Sequence, residues 1–117
     1  AVGPMVEQSL QAAVALEDDG WDVEVVDPRS LSPLDTATLC KSVRKTGRAV
    51  ICGEDSAFAG AVSEISAMVS EQCFGDLKAP VVRVGSPHVP MPFSAELVKH
   101  VVPDADNVMA AVRQVMA

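Results

Sequence analysis

The stretch "AVIC", residues 49–52, constrains the fold more than any other part of the chain. It is apolar at every position, with no polar residue on either face. A strand with one wet face alternates, so a strand without alternation must be covered from both sides. A chain built around it therefore needs a helical layer above the sheet and another below it. The flanking sequence supplies helical patterns in the required places.

Pro4 suits a first helical turn, where its missing N–H is not needed. Val6, Leu10 and Ala13 then fall on one stripe, widened by Met5, Ala12 and Leu16, with Glu7, Gln8 and Gln11 turned to water. Gly20 ends this helix, and "DVEVV" after it predicts a strand whose Val23 and Val25 share a face. "DPRSLSPLD" reads as a connecting loop. Asp35 is placed to cap a helix carrying Leu39, Cys40 and Val43 and closed by Gly47. After "AVIC" a helix from Gly60 carries Val62, Ile65 and Val69 with Met68 beside them, and "VVRV" at 81–84 predicts the next strand. "GSPHVPMPF" holds three prolines in nine residues and excludes regular structure. Ser94 and Asp104 read as caps, the first for a short helix with Leu97 and Val98, the second for a last helix with Val108, Met109, Val112 and Met116. Strands alternating with helices define an α/β fold with a mostly parallel sheet. At 117 residues there is room for one domain. The opening "AVGPMV" looks like the end of a strand turning into a helix, so the expectation is a fragment that lacks the strand before it.

The formal net charge of −7 and the scattered bases argue against nucleic acid as a partner. Lys41, Arg44 and Lys45 are grouped, but near a helix end where cations complement the dipole. No apolar run has the length to cross a bilayer, and no basic segment followed by a hydrophobic stretch opens the chain, so neither membrane insertion nor export is indicated. Cys40, Cys52 and Cys73 are odd in number, widely spaced and without a CxxC pair. They read as small buried side chains in a reducing compartment, with neither a disulfide framework nor a zinc site.

"VICGEDSAFAG", residues 50–60, has the outline of an active-site loop after a strand. Glu54, Asp55 and Ser56 offer a base and a nucleophile, yet the GxSxG and GxGxxG spacings are absent and no histidine is near in sequence. The simpler reading is that the acids favour the amino end of the following helix and Gly60 lets the backbone turn. His88, between prolines, reads as an exposed loop residue, and His100 lies near a helix end. Neither histidine has metal-ligand spacing to another ligand type. Trp21 reads as a packing cap over the end of the first helix. Met91 and Phe93 are the leading exposed apolar residues, and a subunit interface would account for them.

Three ordered pieces, "GPMVEQSLQAAVALEDDGWDVEVVDPRSLSPLD", "SVRKTGRAVICGEDSAFAGAVSEI" and "APVVRVGSPHVPMPFSAELVKHVVPD", resemble the C-terminal domain of the beta subunit of thiamine-diphosphate-dependent 2-oxoacid dehydrogenases. The match runs nearly end to end. The VVD-R-LSPLD segment is shared in weaker form with transketolase and deoxyxylulose-phosphate synthase, whose corresponding domain is the competing assignment. KTGR, EDS-F-G and VPMPF are more particular to the dehydrogenase beta subunits.

The resemblance implies a three-layer αβα sandwich around a mostly parallel five-stranded sheet, with its N-terminal strands truncated here, so that residues 1–117 start at the end of a central strand lying between 23–26 and 49–52. It implies that the intact enzyme uses thiamine diphosphate and magnesium held between the alpha subunit and the N-terminal domain of the beta subunit. This fragment then contributes no catalytic, cofactor-binding or metal residue. The implied partners are the alpha subunit, a second beta subunit in an alpha-two beta-two heterotetramer, and the basic subunit-binding domain of the dihydrolipoyl acyltransferase. The implied location is cytoplasmic, or the mitochondrial matrix in a eukaryote. Glu54, Asp55, Ser56, Phe58, His88, Met91 and Phe93 become interface-loop candidates. Glu71, Asp76, Lys78, Val115, Met116 and Ala117 become docking candidates. Family members often carry an acid directly before "AP", where this chain has Lys78, so Asp76 or Glu71 is expected to take its place. Pyruvate, branched-chain 2-oxo acids and acetoin are the substrate options, and "VPMPF" leans toward pyruvate.

Overall fold

The computed structural model describes all 117 residues. Its elements run α1 (Met5–Glu17), α2 (Thr36–Thr46), β1 (Val50–Ser56), α3 (Ala61–Gln72), a 3-10 turn (Phe74–Asp76), β2 (Val82–Ser86), α4 (Ala95–Val98) and α5 (Ala105–Met116). The end signals read from the sequence are in place. Asp35 accepts from the Thr38 amide at 3.0 Å and the Thr38 hydroxyl at 2.6 Å. Gly47 closes α2 in the left-handed region at φ 74°, a conformation that a side chain would strain. Asp104 and Asn107 form a reciprocal capping box at the start of α5. Ser94 precedes α4, but its side chain makes no capping bond.

β1 and β2 form a parallel two-stranded sheet, with Val50 opposite Val82, Ile51 opposite Arg83 and Cys52 opposite Val84. Successive β1 side chains then point to opposite faces, as the pleat requires. Cys52 enters a core with Met5, Ala12, Leu16, Val84, Val108, Ala111 and Val112, covered by α1 and α5. Ile51 enters the other core, with Leu39, Cys40, Val43, Val62, Ile65, Val69 and Cys73, covered by α2 and α3. This is the expected αβα layering, and each fully buried valine, leucine or isoleucine contributes about 1.5–3 kcal/mol to it. All three cysteines are free and buried, and Trp21 packs against the α1/α5 core. No helix is long and apolar enough to cross a membrane.

Four expectations need correction. The buried stripe of α1 is Met5, Ser9, Ala12 and Leu16, while Leu10 is 52% exposed. The helix lies against both α5 and β1, and the small Ser9 and Ala12 admit that approach on a face where Leu10 would hold the elements apart. In α5 the buried set is Val108, Ala111, Val112 and Val115, with Met109 packed half-buried against the same core and Met116 exposed. β1 continues through Ser56, so Glu54, Asp55 and Ser56 belong to the strand end and not to the loop.

Finally, residues 22–26 form no strand, and none of their amides donates to a backbone carbonyl. What they lack is a neighbour. Val2 donates to the Cys52 carbonyl at 2.8 Å and the Ala1 ammonium to the Val26 carbonyl at 2.9 Å, so the first two residues sit between β1 and the 22–26 segment. Beyond them the two segments are separated by an apolar cavity of about 310 Å³ lined by Val23, Val25, Val26, Val50 and Ile51. The sheet accordingly has two strands, and the strand expected at 23–26 beside them does not form.

Candidate functional site

The candidate residues fall at the two opposite ends of the sheet. At the carboxyl end, the step from Cys52 to Ser56 on β1 faces the shorter step from Val84 to Ser86 on β2, so β1 bulges there. Asp55 lies within the bulge. Its carboxylate accepts from the Val62 amide at 3.2 Å and satisfies an orphan donor in the first turn of α3. Three glycines make room for it: a Cβ on Gly53 would stand 2.3 Å from Asp55 Oδ1, one on Gly60 2.1 Å from Oδ2, and one on Gly85 2.8 Å from the Asp55 carbonyl oxygen. Ser56 Oγ accepts from the Phe58 amide at 3.1 Å. The buried Ser86 donates its hydroxyl to the Glu54 carbonyl at 2.7 Å, and its own carbonyl accepts from the Ala57 amide at 2.9 Å. Glu54 leaves its side chain in solvent.

The loop that follows is held from below. Arg83 donates from Nη1 to the Ala57 carbonyl and to Ser63 Oγ, each at 2.9 Å, and Ser63 donates to the same carbonyl at 2.7 Å. This clasp presents Phe58, 66% exposed, whose ring meets that of His88 at a centroid distance of 4.6 Å and 52° between planes. His88 is exposed, as read from the sequence. Met91 and Phe93 follow on the irregular proline segment, half exposed and fully exposed respectively, with Val89 exposed beside them. Arg83 and Ser86 escaped notice in the sequence. A single arginine inside an otherwise apolar "VVRV" was the signal for the first; Ser86 offered none.

Asp55 and Ser56 thus serve the backbone of their own bulge and loop, and no histidine reaches either of them through the contacts that hold this end together. The arrangement is not that of a base and a nucleophile. Nor does it fit a diphosphate bridged by a metal ion, since the acid best placed to be a ligand already caps α3. Chemically, this end offers a rigid platform with exposed aromatic and thioether side chains. Such groups suit burial against another protein surface.

At the amino end of the sheet the structure assembles the other set. Asp76, on the 3-10 turn after α3, pairs with Arg44 at 3.4 Å. Lys78 donates its amide to the Gly47 carbonyl at 2.8 Å and lays its methylenes over Gly47. Arg48 donates Nε to the Val115 carbonyl at 2.8 Å, which ties the end of α5 to the start of β1. Val115 itself is buried, so only Met116 and Ala117 expose side chains there. Glu71 is exposed on the last turn of α3, and Phe74 beside it is 82% exposed. Lys45 is paired with Glu24, whose carboxyl is held below its usual range by that hydrogen bond. The basic group at the end of α2 is therefore largely neutralised, and the nucleic-acid reading loses its one local support.

The site thus defines a layered α/β domain that keeps its polar side chains for its own loops and turns aromatic groups outward at both sheet ends. The chain matches the family model of the transketolase C-terminal domain over residues 1–108, and it belongs to that family. It is 44% identical over 114 residues to the beta subunit of acetoin:2,6-dichlorophenolindophenol oxidoreductase of Cupriavidus necator, covering 97% of this chain and 34% of that protein. It is 43% identical over 115 residues to the pyruvate dehydrogenase E1 component subunit beta of Bacillus subtilis, covering 97% and 35%. Against the 2-oxoisovalerate dehydrogenase subunit beta of the same organism the figures are 38% over 113 residues, 96% and 35%. The chain spans about a third of the length of these curated relatives.

Proposed function

We propose that this chain is the C-terminal assembly and docking domain of the beta subunit of a 2-oxoacid dehydrogenase first component. The observation that carries the reading is identity of 43–44% to such beta subunits across nearly the whole chain. The fold supports it with a carboxyl-end platform of Phe58, His88, Met91 and Phe93 for the alpha subunit or second beta subunit, and an amino end with Glu71, Asp76, Met116 and Ala117 for the basic subunit-binding domain of the acyltransferase. The whole enzyme would decarboxylate a 2-oxo acid on thiamine diphosphate and pass the acyl group to a lipoyl carrier, in the cytoplasm or the mitochondrial matrix. The cofactor and its magnesium would be held outside these residues, because Asp55 of the GEDSAFAG stretch is engaged in capping α3 and Glu54 stands alone in solvent.

Names with acetoin, pyruvate and 2-oxoisovalerate occur among relatives of similar identity, so the substrate within this class is not assigned, and the lean from "VPMPF" toward pyruvate carries no weight. The cavity between β1 and residues 22–26 is proposed to take a β-strand. A strand there would pair the idle amides of 22–26 and extend the sheet. The docking assignment is tested by calorimetric titration with the subunit-binding domain of a dihydrolipoyl acyltransferase. Saturable binding that Asp76→Lys weakens by tenfold or more is the expected result; unchanged affinity in that variant would remove Asp76 from the docking surface.

A further inference from the structure

The cavity between β1 and residues 22–26 has two kinds of unpaired polar group on its walls. On the β1 side, the Ala49 carbonyl accepts from the Val82 amide and the Cys52 carbonyl from the Val2 amide. Backbone groups alternate in direction along a strand, so Ala49 and Ile51 serve β2 while Val50 and Cys52 turn theirs toward the cavity. On the other side, the amides of 22–26 donate to no backbone carbonyl. The second kind is a side chain. Ser9, on α1, lines the cavity and is 6% exposed, and its Oγ is the one buried side-chain nitrogen or oxygen of the chain without a hydrogen-bond partner. Other polar residues of the lining are met elsewhere: Asp22 and Glu24 are exposed, Thr46 donates to the Ser42 carbonyl and Arg48 to that of Val115.

We propose that the site is selective for an extended, uncharged peptide segment with one hydroxyl-bearing residue, threonine above all, facing Ser9; this rests on the β-strand proposed for the same cavity. A strand laid there spends its own N–H and C=O groups in the plane of the sheet, on Val50 and Cys52 to one side and on 22–26 to the other. Its side chains stand perpendicular to that plane, so it is a side chain that meets the covering helix α1 and the Ser9 hydroxyl. Ala12 and Leu16 of α1, with Leu39 and Val43 of α2, line the same cavity and require apolar side chains at the remaining positions.

Opposite Ser9, valine would leave the buried hydroxyl unpaired, and a charged side chain would lie there without a counter-ion. Threonine keeps the branched shape that suits a strand and adds the hydroxyl. The flanking segments, 22–26 and 48–52, contribute every residue of each to the lining and set the length of the occupant at about five residues.

The test is calorimetric titration of the chain with capped synthetic peptides of about seven residues, a length that covers the slot. Each has a lysine at either end for solubility and valine between, with a single threonine moved along the strand; the all-valine peptide is the reference. Amide hydrogen exchange is followed in parallel. The expected result is saturable binding, slowed exchange at residues 22–26, and one threonine position that binds about fivefold more tightly than the reference. Ser9→Ala is expected to abolish that preference while leaving the slowed exchange in place. Slowed exchange with no preferred threonine position, or a preference that survives Ser9→Ala, would overturn the selectivity and leave the strand reading standing. No binding and no slowed exchange at millimolar peptide would overturn the strand reading and this inference with it. The threonine scan on the unsubstituted chain decides the matter even if Ser9→Ala fails to fold.

Discussion

Gly60→Ala tests whether the carboxyl-end platform is rigid. Gly60 has φ −97° and ψ −178°, a conformation open to alanine, so any cost must come from contacts. The new methyl would stand 2.1 Å from Asp55 Oδ2 and 2.3 Å from the Ser56 carbonyl oxygen. The carboxylate can rotate away, at the loss of its bond to the Val62 amide, about 1 kcal/mol. The carbonyl cannot follow easily, because Ser56 is paired with Ser86 across the sheet. Overpacking against fixed backbone costs about 1–3 kcal/mol more. The expected total is about 2–4 kcal/mol, read by urea denaturation followed by circular dichroism. Gly53→Ala is the internal comparison, since its methyl meets only side chains within 3 Å, Asp55 Oδ1 at 2.3 Å and Val62 Cγ1 at 2.7 Å. Asp55→Ala should therefore relieve Gly53→Ala more fully than Gly60→Ala. If Gly60→Ala costs under about 0.5 kcal/mol, the level of an unremarkable surface change, or is rescued completely by Asp55→Ala, the platform is not held as argued.

Two further outcomes are expected. Leu16→Ala, at a fully buried position, should cost about 3 kcal/mol, while Leu10→Ala should stay within about 0.5 kcal/mol; the reverse order in denaturation midpoints would restore the stripe read from the sequence. Glu24 is lowered chiefly by its hydrogen bond from Lys45, Asp27 by bonds from Arg29 and Asp35 by those from Thr38, while Lys45 is raised by Glu24. The depressed carboxyls contribute stability that is present above their unfolded values and lost as pH falls through the folded ones, and the raised lysine contributes stability lost as pH rises through its folded value. Denaturation midpoints should decline below about pH 4 and again above about pH 10. Glu24→Gln should flatten both limbs, and an unchanged alkaline limb would sink the assigned Glu24–Lys45 coupling.

What was legible in the sequence depended on the range of the interaction that decides it. Asp35, Gly47 and Asp104 act on their own helix ends, within a few residues, and each does what its type implied. "AVIC" demanded cover on both faces, and the two cores on either side of β1 provide it. The stripe of α1 was less legible because periodicity identifies an apolar arc without saying which part of it approaches a neighbour. Ser9 and Ala12 are chosen by proximity to α5 and β1, which no local pattern encodes. The bulge at Glu54 to Ser56 was missed for a similar reason. It depends on a register between β1 and β2 that brings Ser86 beneath the Glu54 carbonyl, across 32 residues of chain.

Residues 22–26 make the same point from the opposite side. Val23 and Val25 alternate as strand residues do, so the local pattern is that of a strand. A strand, however, is defined by the ladder it joins, and the nearest edge, that of β1, is held off by the cavity. Ser9 Oγ, one of the side chains lining that cavity, is buried without a hydrogen-bond partner. The unpaired amides and the orphan hydroxyl lie around one slot, and a polar backbone with apolar side chains would suit it. The β-strand proposed between β1 and residues 22–26 would meet both.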